Sequence, residues 1–179
     1  MKTEYEVRIL EIDHDQMIQK LESLGAIKKI DALQERYIYD VIPKNDHQWI
    51  RLRTNGEKVT LTLKDLQAKS IDGMKEIEIE VNDFNKTHEL LENIGFHNKG
   101  FQQNKRVQYV LDGVEIDLDH WPLIPEYMEI EGDSEESVNK MLEILHIDKD
   151  KVVTLDVTSI YKYYGYEEPV NLSFDMEEK

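Results

Sequence analysis

Glu4-Tyr5-Glu6-Val7-Arg8-Ile9 alternates charged and apolar side chains without a break. Successive side chains on a strand point to opposite faces, so Glu4, Glu6 and Arg8 share one face and Tyr5, Val7 and Ile9 the other. The pattern returns in Arg51-Leu52-Arg53, Thr62-Leu63-Lys64, Glu76-Ile77-Glu78-Ile79-Glu80, Glu115-Ile116-Asp117-Leu118-Asp119 and Glu129-Ile130-Glu131. A sheet with one wet face would mix Ser, Thr, Asn and both charge signs there. Here nearly every polar position is charged, and whole strands carry one sign. Such faces form a lining.

Around these strands the chain repeats one plan, in which an acidic alternating strand leads into a capped amphipathic helix. Asp13 caps Met17, Ile18, Leu21 and Leu24, and Gly25 stops that helix. Asn82 or Asp83 caps Thr87, Leu90, Leu91 and Ile94, with Gly95 as the stop. Asp133 and Glu136 form a capping box before Val138, Met141, Leu142 and Leu145. Leu33 to Val41 reads as a further strand. Asn55-Gly56-Glu57 and Asp112-Gly113 mark two hairpins, Gln48–Thr54 with Lys58–Leu66 and Gln103–Leu111 with Val114–Asp119. About eight antiparallel strands joined by tight turns predict an α+β fold: an eight-stranded antiparallel β-barrel with helices packed outside. The charged faces then point into the lumen. One domain is expected over residues 1–166. The Tyr161 to Tyr166 segment packs as a short helix, and an acidic, fraying C-terminal tail follows over 167–179.

The chain has 179 residues, enough for one sizeable core. It lacks an apolar run long enough to span a bilayer, a hydrophobic leader, and any Cys, which together predict a cytoplasmic protein without disulfides or thiolate metal sites. A formal net charge of −16 argues against an extended nucleic-acid interface, which needs a basic patch. It leaves room for an enclosed basic cluster that grips a compact anion.

Sorting the inward positions gives a basic set, Arg8, Arg51, Arg53, Lys64 and Arg106. The acidic set is Glu4, Glu6, Glu76, Glu78, Glu80, Glu115, Asp117, Asp119, Glu129 and Glu131. Crowded carboxylates in a cavity take up protons or bind cations. Oxygen donors without Cys or clustered His suit a hard cation, Mg2+ or Mn2+. Arginine matches paired phosphate oxygens, and Lys adds a point charge. Cations and arginines in one tunnel describe a polyphosphate site.

Glu4-x-Glu6-x-Arg8 resembles the ExExK signature of the CYTH family, the triphosphate tunnel metalloenzymes. Arg51-x-Arg53, Thr62-x-Lys64, Glu76-x-Glu78-x-Glu80, Lys105-Arg106, Asp117-x-Asp119 and Glu129-x-Glu131 resemble its later motifs, in order, from about Glu4 to Tyr161. Any single Glu-x-Glu carries little weight; the ordered series is specific. Arg8 departs from the signature's Lys: it keeps the charge but cannot serve as a pKa-tuned amine. The family includes class IV adenylate cyclases, thiamine triphosphatases and inorganic triphosphatases, all metal-dependent. The resemblance implies that Glu4, Glu6, Glu129, Glu131 and Asp119 hold metal and that Arg8, Arg51, Arg53, Lys64 and Arg106 hold the triphosphate. It gives Glu78 and Glu80, with Arg8, the catalytic positions.

Taken singly, the same residues have plainer uses. Glu76 to Glu80 can be a solvated strand face, and Arg51 and Arg53 can pair with it across strands. Asp117 is placed nearer the rim than Asp119, and His120 is a packed or surface residue. Three functions stay open: hydrolysis of a terminal phosphate from an organic or inorganic triphosphate, cyclisation of ATP to cyclic AMP and pyrophosphate, and a barrel that binds polyphosphate or cations without turnover. Hydrolysis is preferred because it needs no exact seating of a nucleoside. The expected partner is a triphosphate-containing small molecule; a homodimer is compatible, and a membrane is not expected.

Overall fold

The computed structural model describes residues 1–167 and 170–176. In chain order the elements are β1 (Lys2–Leu10), α1 (His14–Ser23), β2 (Ile27–Asp40), β3 (Gln48–Thr54), β4 (Val59–Leu66), β5 (Met74–Val81) and α2 (Phe84–Asn93). There follow β6 (Asn98–Leu111), β7 (Val114–His120), β8 (Tyr127–Gly132), α3 (Glu135–Ile144), β9 (Val152–Val153) and α4 (Val157–Tyr163). The strands run β5-β4-β3-β2-β6-β7-β8-β1, and β1 closes the ring on β5. Every pairing in the ring is antiparallel. The result is the expected eight-stranded barrel, with β9 added beside β1 at Arg8 and Ile9.

Closure depends on how β1 is shared. Lys2 to Glu4 pair with Glu76 to Met74, whereas Tyr5 to Leu10 pair with Gly132 to Tyr127. One strand thus joins both edges of the sheet and leaves no edge open in the ring. Two strands are longer than their sequence signals. β2 begins at Ile27 and β6 at Asn98, and they pair along most of their length with register shifts near Lys28 and Ile38. Apolar alternation is weak over 27–32 and 98–102, so strand pairing rather than local pattern sets these ends.

The apolar core lies outside the barrel. Val7, Ile9, Tyr109, Ile116, Leu118, Met128 and Ile130 pack under Leu21 of α1 and Val138, Met141, Leu142 and Leu145 around α3. On the opposite wall Tyr39 and Leu52 pack with Leu91 of α2. Asp13 caps α1 and Asp83 caps α2. For α3 the cap is Ser134, whose hydroxyl accepts from the Ser137 N–H, so the expected Asp133–Glu136 box is displaced by one residue. Ser is an equally good cap, and Gly132 ends β8 where a Cβ would strike the Ser137 hydroxyl at 2.3 Å.

One end of the barrel is sealed. Trp121, Ile124, Tyr127, Ile160, Tyr161 and Leu172 form a separate apolar cluster there, with α4 across it. The C-terminal segment contributes directly. Leu172 bridges to Gln102 in parallel, and its N–H donates to the Phe101 carbonyl at 2.9 Å. Residues 170–176 are therefore docked where fraying was expected; the rest of that stretch, 168–169 and 177–179, lies outside the described residues. Gly100 makes the docking possible, because a Cβ there would come within 1.7 Å of the Val170 carbonyl oxygen. Gly100→Ala should cost about 1–3 kcal/mol as an overpacking change. Its signature is faster amide exchange at Leu172 and Gln103; unchanged protection there would show that the segment does not depend on Gly100. No helix among the described residues is long and apolar enough to cross a membrane.

Candidate active site

The register carries the charged faces into the lumen. Across β1, β8 and β7, Glu6 faces Glu131 and then Glu115, and Arg8 faces Glu129 and then Asp117. Across β3, β4 and β5, Arg51 faces Thr62 and Glu78, while Arg53 faces Thr60 and Glu80. Burial grades along the tunnel. The Glu80 side chain is 68% exposed beside Lys58 at the rim, and that of Asp119 is 0% exposed near the sealed end. Asp117 is buried as well, so the rim position expected for it belongs instead to Glu115 and Glu80.

Acids and bases are sorted into groups. Arg8 donates to Glu6 at 3.2 Å and to the Leu155 carbonyl at 2.7 Å, and pairs with Glu129. Arg106 pairs with Asp117 and holds both oxygens of Asp119, at 2.8 and 2.6 Å, with Glu129 at 3.7 Å. Lys64 reaches Glu4 at 2.7 Å and Glu76 at 3.4 Å. Arg51 and Arg53 share Glu78 at 3.4 and 3.8 Å, and the Thr62 hydroxyl donates to the same carboxylate at 2.7 Å.

The electrostatics follow from these contacts. Burial raises Glu129, but Arg8 and Arg106 overcome it and hold the carboxyl down at about 2. Burial works against the Arg8 charge too, and Glu129 and Glu6 more than offset it. Glu131 has no such cover. Burial, with Glu4, Glu129 and Glu6 close by, pushes it up to about 8. Glu6 and Glu4 are raised chiefly by burial, and Asp117 is pushed to about 7 by burial against the pull of Arg106. Glu78 moves the other way: the Thr62 hydroxyl, Arg51 and Arg53 outweigh burial and hold it below the usual carboxylate range.

Of the residues assigned to metal from the sequence, three converge. One carboxylate oxygen each from Glu6, Glu129 and Glu131 lies within 4.8 Å of the others. Glu4 is turned to Lys64, and Asp119 is held by Arg106 and Asn104. The donor set is all oxygen, and Glu6 and Glu131 are raised first by burial and then by the carboxylates beside them, a strain that a bound cation would relieve. These residues fit a hard divalent cation. All five basic residues assigned to phosphate line the same lumen, and the Nε atoms of Arg8 and Arg51 are donors without an acceptor among the described residues.

The structure adds lumen residues that the sequence reading passed over. Gln34 and Arg36 on β2 and Asn104 on β6 are buried with the charged set. Arg36 alternates with Tyr37 and Tyr39, which was the available signal. Ile38 then breaks the charged pattern, since it takes an inward position opposite Arg51.

The CYTH domain model matches residues 2–164. No curated protein matches the chain. Among solved structures, a conserved hypothetical protein from Pyrococcus furiosus superposes with a TM-score of 0.75 at 21% identity, covering 88% of this chain and 99% of its own. A Vibrio parahaemolyticus protein provisionally named an adenylate cyclase superposes with a TM-score of 0.76 at 14% identity, over 90% and 98%. HpAC1 from Hippeastrum, described as having a dominant triphosphatase activity, gives 0.63 at 19% identity, over 95% and 99%. At such identities the likeness concerns the fold. With the ring of eight strands, the charged lumen and the match over nearly the whole length, the chain belongs to the CYTH domain family.

Proposed function

We propose that the chain is a divalent-metal-dependent triphosphatase that removes the terminal phosphate of an organic or inorganic triphosphate inside the barrel. The supporting observation is the group of buried Glu6 and Glu129 with half-buried Glu131, facing a lumen lined by Arg51, Arg53, Lys64 and Arg106. In this reading Glu6, Glu129 and Glu131 hold Mg2+ or Mn2+, with Glu4 and Asp119 flanking them. A cation bound there offsets charge that develops on the phosphate oxygens during transfer.

The chain's own groups supply the remainder. Arg51, Arg53, Lys64 and Arg106 bind the phosphate oxygens, and binding them releases the carboxylates these bases now neutralise. Arg8 fixes Glu6 and Glu129 through one nitrogen and anchors to Leu155 through another, so it positions the acidic group. Its Nε remains a donor for phosphate. Glu78, held ionised, is the acceptor that orients a water, with Glu80 behind it at the rim.

The test is one incubation series. Tripolyphosphate, ATP, thiamine triphosphate and a 5′-triphosphorylated RNA are supplied with Mg2+ or Mn2+, and orthophosphate, pyrophosphate and cyclic nucleotide are resolved. Orthophosphate with a matching diphosphate is the expected product. Cyclic AMP with pyrophosphate would replace hydrolysis by cyclisation, and saturable binding with no product would leave a binding barrel.

A further inference from the structure

Arg36 differs from the other lumen bases. It is 5% exposed. Each of Arg8, Arg51, Arg53, Lys64 and Arg106 has a carboxylate within ion-pairing distance. Arg36 has none among the described residues; its contacts are the neutral side-chain oxygens of Gln34, at 3.3 Å, and of Asn104. Asn104 also insulates it. The Asn104 oxygen accepts from Arg36, while its Nδ2 donates to Asp119 at 2.9 Å, and Asp119 already uses both oxygens on Arg106. Fully buried arginines are ordinarily paired, because an uncompensated charge in a protein interior is costly.

The surroundings increase that cost. Arg36 is the direct cross-strand neighbour of Arg53, and Arg51, Arg53 and Arg106 all oppose its charge. A guanidinium stays charged throughout the working pH range, so the fold holds this repulsion instead of discharging it. The Trp121 ring lies 4.5 Å from the guanidinium carbon and fixes its plane. The Nε of Arg36 is a buried donor with no partner among the described residues. Three more donors in that state, Arg8 Nε, Trp121 Nε1 and the Tyr127 hydroxyl, sit on the elements that meet at the sealed end. Trp121 Nε1, on the ring against Arg36, and Arg36 Nε are unmatched donors beside a guanidinium with no carboxylate, and that combination calls for an anionic oxygen ligand.

We propose that Arg36, with Arg51 and Arg53 beside it, forms an anion seat toward the sealed end of the tunnel that takes the unsubstituted terminal phosphoryl group of the ligand. The inference rests on the tunnel binding a triphosphate, as proposed above, and adds which end enters first. A chain that comes in past the rim at Glu80 and Glu115 meets Arg36 below the plug of Trp121, Tyr127 and Tyr161. Trp121, Tyr127 and Tyr161 are at most 1% exposed and close that end, so in this reading a base, a sugar or thiazolium is not admitted past Arg36. A substituent must trail toward the mouth, so the ligand needs one free phosphoryl end.

Titration calorimetry in EDTA, where turnover cannot proceed, tests this with tripolyphosphate, ATP and a triphosphate esterified at both ends with adenosine. The wild type should bind the first two, and the doubly capped compound at least 10-fold more weakly. Arg36→Gln should weaken tripolyphosphate and ATP at least 10-fold, Arg36→Lys should restore part of that loss, and Lys58→Ala at the rim should stay within twofold. Arg36→Gln with circular dichroism and tripolyphosphate affinity like the wild type would overturn the seat and leave the tunnel reading standing. So would equal binding of the doubly capped compound. Should Arg36→Gln fail to fold, Arg36→Lys and the doubly capped compound still decide. A wild type that binds neither tripolyphosphate nor ATP in EDTA overturns the seat, and the tunnel reading falls with it where Mg2+ and Mn2+ give no product either.

Discussion

Glu131→Gln should abolish turnover and, at pH 8, raise the melting temperature of the metal-free protein. The two effects have one cause. Glu131 faces Glu6 across one strand pair and Glu115 across the other, and its nearest cation is Lys2, at 3.6 Å on the exposed side. Its pKa in the folded chain is about 8, against an ordinary 4.5. Below pH 4.5 the carboxyl is protonated both folded and unfolded and contributes nothing to the difference. As pH rises toward 8 the unfolded chain ionises first, so the folded state loses stability, and above 8 the whole penalty is in place. At about 1.4 kcal/mol per pKa unit the ceiling is roughly 5 kcal/mol. The amide keeps the shape and removes the charge, so Glu131→Gln should melt several degrees higher than the wild type at pH 8 and nearly the same at pH 4.5. Activity should fall at least 100-fold, with the same loss in Glu6→Gln, because each removes an anionic oxygen from the group of three. Paired melts at pH 4.5 and 8 check the first statement and phosphate release the second. A variant that melts lower at pH 8, or that turns over normally, is incompatible with a repulsive cation-binding lumen.

That lumen was legible in the sequence because each wall strand announces itself. In Glu76 to Glu80 and Glu115 to Asp119 the period of two is unbroken, and a one-residue slip would put Ile77 and Ile79, or Ile116 and Leu118, inside. The hairpins at Asn55-Gly56 and Asp112-Gly113 fixed neighbours, and both stand as read. What stayed hidden is long-range. Sequence alternation says which face Glu4 and Asp119 occupy and nothing about their height in a tilted barrel. Height is what separates them: Glu6, Glu129 and Glu131 meet, while Lys64 draws Glu4 aside and Arg106 holds Asp119. Arg36 was missed for a similar reason. Its alternation with Tyr37 and Tyr39 was a weak signal that Ile38 interrupts, and pairing with Arg53 and Gln102 is what places it in the lumen. The docking of Leu172 depends on a gap over Gly100, which no local signal marks.

Arg106→Met should be the most destabilising single change in the lumen, at about 3–5 kcal/mol, the range for breaking a buried ion pair from one side. Arg106 is the hub for Asp117, Asp119 and Glu129, and all three carboxylates are buried. Its guanidinium is held charged, well beyond its ordinary value, because Asp117 and Asp119 outweigh the burial that opposes it. Met fills much of the volume, so the loss is one of charge, not of packing. Without Arg106, Asp119 keeps the Asn104 amide as its one side-chain donor among the described residues, and Glu129 keeps Arg8. Glu129 loses one of the two arginines that hold it down and Asp117 loses the pull that opposes its burial, so both should rise, and the variant should recover stability as pH falls and they take up protons, the opposite slope to that of an ordinary paired carboxylate. Denaturant unfolding at pH 5 and 8 reads this directly. The double variant Arg106→Met/Asp119→Asn should regain part of the loss, since it removes one stranded charge. If the single variant is as stable as the wild type at pH 8, or the double is no better than the single, the paired-charge account of this wall is wrong, and the acids there are neutral in the folded chain.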